Sequence, residues 1–167
     1  MMTMLFLSAL LVILYTGMAT WRRRKLPESV SAMVYELPQK WQWVWTAWLA
    51  LVTALMAPAL TEAMPSAWYS ITSHACIICL AMTAAMPLIP GSHNTAHYGL
   101  GIAAGVLSQV CVAIMCSWWL LLWLLFVAVV FYTVFAKKGT IFDGKGVFVM
   151  EAVCWMSLMG CLFGELI

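Results

Sequence analysis

Apolar residues fill six successive windows, at about 2–20, 41–60, 66–89, 95–116, 117–136 and 147–166, and nearly all charge lies between them. Each window matches the roughly 20 residues that a helix needs to cross a bilayer. The pattern predicts an all-α polytopic membrane protein: a single domain, residues 1–167, built as a six-transmembrane-helix bundle. The division at 116–118 is the tightest, because two helices must turn there within very few residues. Window 117–136 is apolar nearly all round, with Tyr132 and Thr133 as late polar exceptions, and suits a peripheral helix. Window 95–116 carries Gly99, Gly101, Ala104 and Gly105, small residues that let backbones approach, and suits a central one. The same spacing could also serve dimerisation, so a homo-oligomer stays open.

Between the first two windows, Leu26, Val30, Met33, Val34 and Leu37 recur at helical spacing, with Pro27 placed to open a helix and Pro38 to end it. A short interfacial helix after the first span follows, with Glu28, Ser29, Ser31 and Glu36 turned to water. On the last span, Glu151, Cys154, Trp155, Leu158, Cys161 and Glu165 form one stripe, able to line a cavity. Ser157, Gly160 and Gly164 form another, suited to packing.

Composition and charge turn this pattern into an orientation. The chain is 65% hydrophobic and 8% charged, far from the roughly 25% charge of a soluble domain. All eight Lys and Arg fall within 22–40 and 137–145. Cationic loops stay cytoplasmic, which puts the N and C termini outside and the loops around Lys25, Lys137 and Asp143 inside. The cluster Arg22, Arg23, Arg24 and Lys25 then contacts anionic lipid, and nothing in the charge pattern calls for nucleic acid.

Polar groups within such spans are costly and mark function more often than they do in water. The richest run is Ser92, His93, Asn94, Thr95, Ala96, His97 and Tyr98, at the cytoplasmic entry of the fourth window. With Ser92 as N-cap, His93 and His97 share a helical face at a spacing that can chelate a divalent metal. With Asn94 or Thr95 as cap, His93 leaves the helix and that geometry is lost. Glu151 is the one acid well inside an apolar run, roughly 6 Å in from the same side. Topology therefore brings His97 and Glu151 to a common layer, where they could share a proton, hold a cation or, with His93, bind a metal. Lys145 is the alternative partner for Glu151. His74, with Ser70 and Ser73, belongs to the opposite half, and Gln109 reads first as an interhelical hydrogen-bonding residue. A polar path from His97 past Gln109 to His74 is conceivable, although their helical faces do not all coincide.

All six cysteines fall within spans and read as small buried side chains; Cys76 and Cys79 have redox spacing without a redox setting. No phosphate-binding glycine loop, nucleophile elbow or His-Glu-x-x-His motif is present. The His93/His97 pair is distantly similar to that of membrane metal-hydrolases of the alkaline ceramidase and adiponectin-receptor type, whose seventh span and further ligands are missing here. With six spans, the turn containing Pro87 and Pro90 and the His-containing start of a small-residue helix, the chain resembles small six-helix proteins of bacterial inner membranes. That resemblance implies inner-membrane localisation and no particular activity. Three functions follow in order: binding or translocating a small solute or proton at a cytoplasm-facing polar vestibule through His93, His97 and Glu151, with Asn94 and Tyr98 as further candidates; a metal-dependent intramembrane lipid hydrolase with His93 and His97 as ligands and Glu151 as ligand or general base; and a non-catalytic scaffold or complex subunit.

Overall fold

The structure, a computed structural model, describes residues 1–24, 29–89, 94–136 and 144–166; within them the side chains of Arg23, Ala32, Glu36, Asn94, Ala136, Gly144 and Lys145 lie outside the description. Every regular element among the described residues is helical. The long helices are α1 (Met2–Arg23), α2 (Gln42–Glu62), α3 (Ala67–Ala85), α4 (Asn94–Cys116) and α6 (Gly144–Leu166), with a shorter α5 (Trp123–Phe131). Five helical stretches are long and apolar enough to cross a membrane; the fourth, Thr95–Phe135, is a 41-residue run.

That run is not straight. Cys116 is extended (φ −154°, ψ 92°), and a 3₁₀ turn, Ser117–Leu122, follows before α5. Trp123 Nε1 donates to Gln109 Oε1 at 2.8 Å, although the two are 14 residues apart. On an uninterrupted helix that separation would be about 21 Å at 1.5 Å per residue. The chain therefore folds back at Cys116, the division expected at 116–118. The returning turn lays the Trp119 ring on Gly160, where an added Cβ would meet ring carbons at 2.4–2.7 Å, and near Gly164. The small-residue stripe of α6 thus packs, as its composition suggested. α5 itself has no buried residue.

α4 lies between α3 and α6, and α2 between α1 and α3. The glycines of α4 face different neighbours: Gly101 meets Thr83 of α3 and Gly105 meets Cys154 of α6. This small-residue pair is used within one chain. Buried apolar side chains form two clusters, one around Met56, Cys76, Cys111, Leu158 and Leu162, the other around Met33, Val34, Trp45, Val52 and Ala84. Leu158 and Cys161 belong to the first, so their stripe on α6 fills core instead of lining a cavity.

The link between α1 and α2 departs from expectation. It forms a 3₁₀ turn, Ser31–Glu36, with Met33 only 2% and Val34 0% exposed. These side chains, with Val30, pack on Trp45, Trp48 and Leu49. Ser29 is 4% exposed, and Ser31 is turned into the bundle. Two of the residues expected to face water, Ser29 and Ser31, therefore face inward, for reasons that lie in α6; Glu28 and the Glu36 side chain lie outside the described residues. Pro38 ends the turn as expected, with Leu37 extended before it.

Candidate functional site

Three chain ends meet at the site: the end of α3, the start of α4 and the start of α6, with the 29–37 segment across them. The end of α3 supplies an unusual acceptor. Thr83 carbonyl oxygen would ordinarily receive the N–H four residues on, but that residue is Pro87, which has none. His97 Nδ1 lies 3.1 Å from this oxygen. With its proton on Nδ1, the ring takes the place of the absent backbone donor.

The other nitrogen also meets a carbonyl. His97 Nε2 lies 3.2 Å from Ser31 oxygen. A neutral imidazole has one N–H, so only one of these two contacts can then be a hydrogen bond; a protonated ring donates at both. The ring is 0% exposed and is enclosed by Tyr35, Trp45 and Tyr98, with ring centroids at 5.3, 5.4 and 5.8 Å. Burial opposes a charge on the ring, whereas two carbonyl oxygens favour it. Burial, with Tyr98 adding to it, pushes the Tyr35 hydroxyl above its ordinary value, so this phenol stays protonated beside the imidazole.

On the far side of Ser31 stands Glu151. Its carboxylate accepts from Ser31 Oγ at 2.6 Å, from Ser31 N at 3.4 Å and from the backbone N–H of Val30. All three partners are donors, the arrangement that suits an ionised carboxylate. Of the two expected partners, His97 is reached through Ser31, whose hydroxyl meets Glu151 and whose carbonyl oxygen meets Nε2, and the Lys145 side chain lies outside the description. Ser31 is thus the residue that sequence reasoning missed. Its helical spacing placed it on the polar side of an amphipathic segment, and polarity was taken for exposure. Ser29 Oγ, 3.1 Å from Ser31 Oγ, extends the same cluster.

The remaining candidates scatter. Tyr98 joins the aromatic wall, 6.4 Å from Tyr35 between centroids. His93 lies outside the described residues, as does the Asn94 side chain. His74 faces outward and its Nδ1 meets Ser70 oxygen of its own helix at 2.6 Å. Gln109 forms a separate knot: its Oε1 accepts from Trp123 Nε1 and, at 2.9 Å, from Ser157 Oγ, while its Nε2 donates to Ser108 Oγ at 3.0 Å and Cys154 oxygen at 3.3 Å. Among the described residues no continuous hydrogen-bonded path joins His97, Gln109 and His74. The six cysteines are free thiols.

For a metal, the donor set is poor. Both His97 nitrogens are directed at carbonyl oxygens, and the described residues contain no group of three His, Cys, Asp or Glu side chains placed to hold an ion. What the arrangement can do is take up or give up a proton: an imidazole with two acceptors and a carboxylate with three donors share Ser31. Comparison with protein-family models, with curated proteins and with solved structures finds no match for this chain.

Proposed function

We propose that this is a six-pass integral membrane protein that binds a proton at His97, with Glu151 as its counter-charge across Ser31, and uses that site in moving a proton or a small solute. The observation that carries the reading is the pair of carbonyl oxygens, Thr83 and Ser31, facing the two nitrogens of one buried imidazole. One more proton on the ring makes one more hydrogen bond, so the site responds to protonation by construction.

The turn at Cys116 supports counting Thr95–Phe135 as two passes, giving six in all. One basic segment joins α1 to α2 and the other leads into α6, both at helix ends nearest the site, so the positive-inside tendency supports a cytoplasm-facing vestibule and termini on the outer side of a bacterial inner membrane. Anionic lipid head groups at Arg22, Arg23, Arg24 and Lys25 fit the same orientation. The lipid-hydrolase reading loses ground because both His97 nitrogens face carbonyl oxygens at hydrogen-bonding distance.

Nitrogen-15 NMR of histidine-labelled protein in nanodiscs tests the site directly, with His97→Gln identifying the signals. A pH series is expected to convert the His97 pair between a neutral tautomer, protonated at Nδ1, and a doubly protonated ring. A ring that holds one neutral tautomer throughout the range in which the bundle stays folded overturns the proposal. Proton uptake into reconstituted liposomes under an imposed potential, expected to be lost in His97→Gln and Glu151→Ala, tests movement.

A further inference from the structure

The site as built is sealed. His97 is 0% exposed, and the 29–37 segment covers it through Ser31 oxygen on Nε2 and the Tyr35 ring. Displacing this cover would open a route between water and the ring. The cover is bound in two unlike ways. Val30, Met33 and Val34 anchor it in the apolar cluster of Trp45, Trp48 and Val52. Ser31 and the Val30 N–H bind it to the Glu151 carboxylate.

We infer that the 29–37 segment is the gate of the proton site and that Glu151 is its catch, released when the carboxylate loses its charge. This rests on the proton-site reading and adds its regulation. With Glu151 ionised, three donors bind one anion and the bonds are charge-assisted. With Glu151 protonated, the same donors face a neutral acid, whose hydrogen bonds are roughly half as strong. The imidazole acts in the opposite sense: a proton on His97 adds the bond from Nε2 to Ser31 oxygen and tightens the cover. The docked state therefore holds a proton on the ring and none on the carboxylate, and a second proton opens it.

The groups that face Glu151 among the described residues are consistent with a single switch. From the segment they are the donors of Val30 and Ser31; from α4, His97 beyond Ser31; from α6 itself, the Cys154 thiol. Tyr35 remains protonated. No cation among them competes for the carboxylate. A second feature favours opening: Trp45 Nε1, buried beneath the segment, has no acceptor in the docked state. An unpaired buried N–H is costly, and water admitted by a lifted segment satisfies it.

Hydrogen exchange of the full-length protein in nanodiscs tests the gate. The amides of Met33 and Leu37, bonded to Val30 and Val34 oxygens, report the segment, and the peptide around Gln109 reports the bundle. Glu151→Gln, which removes the charge and keeps the shape, is expected to raise exchange in 29–37 by roughly tenfold or more, as loss of charge assistance implies, and to leave the Gln109 peptide unchanged. Ser31→Ala, which keeps the charge and removes one donor, is expected to give a smaller rise in the same place. Wild-type exchange in 29–37 for both variants overturns the gate, and so does an equal rise throughout the bundle. The histidine spectra separate the two proposals: a titrating His97 with an unmoved segment leaves the proton site standing and removes its gate.

Discussion

Gln109 and His97 lie on the same helix, about 18 Å apart along its axis, and both bring buried polar groups into an apolar bundle. Gln109 is balanced by its own chemistry. Its amide offers acceptors and donors together, and Trp123, Ser157, Ser108 and Cys154 take them all without any group changing charge. His97 faces two acceptors and can satisfy both only by gaining a proton. The first cluster is a knot, fixed at every pH at which the helices stay folded. The second is conditional, because its hydrogen-bond count depends on a proton. Buried polarity alone does not distinguish a structural cluster from a working one; whether donors and acceptors balance without a proton does.

The comparison is broken most forcefully at His97. His97→Ala removes a fully buried ring, its three aromatic contacts and the donor to Thr83 oxygen, and is expected to cost about 3–5 kcal/mol of stability, the range for excising a buried aromatic. Unfolding in mixed micelles across a pH series is the measurement. The loss should vary with pH, since the wild-type site gains or loses a bond with its proton; a loss constant with pH would make His97 a second knot. Gln109→Leu should cost less, about 2 kcal/mol, because intramembrane hydrogen bonds are individually modest and the Ser157 hydroxyl can turn its single hydrogen to Cys154 oxygen, 3.1 Å away. That loss should be the same at every pH. A pH-dependent cost at Gln109 would show the two clusters to be coupled and would erase the distinction between them.

The long apolar helices and the turn at Cys116 were legible because they depend on run length and rise per residue. Gln109 was legible as an interhelical group, but its partners were not: Trp123 reaches it only because the chain reverses at Cys116. Ser31 was hidden by a real ambiguity. Helical spacing separates an apolar from a polar side of a segment, yet it cannot say that the polar side meets a buried carboxylate instead of water. Glu151 was assigned Lys145 or His97 on charge, whereas the donors that hold it are a hydroxyl and two amides, which carry no signature in sequence. One signal was present and unused. Thr83 and Pro87 are four residues apart at a helix end, and a proline there withholds the N–H due to the threonine carbonyl, announcing a vacancy for a side-chain donor.

That vacancy provides the finest test of the comparison. If His97 Nδ1 substitutes for the amide that Pro87 lacks, then Pro87→Ala, which restores an N–H at 87, should let the backbone satisfy Thr83 oxygen by itself. The imidazole is then no longer obliged to keep its proton on Nδ1. In a double-mutant cycle, the cost of His97→Ala should be smaller in the Pro87→Ala background by about 1 kcal/mol, the net value of one neutral hydrogen bond. The NMR signature sharpens the result: with Nδ1 released, a neutral ring can place its single N–H on Nε2 and still donate to Ser31 oxygen. The site would then bridge its two elements without a second proton, and His97 would behave as Gln109 does. A cycle with no coupling would mean that the Thr83 carbonyl is not what orients the ring, and that the conditional character of this cluster rests on Ser31 and Glu151 alone.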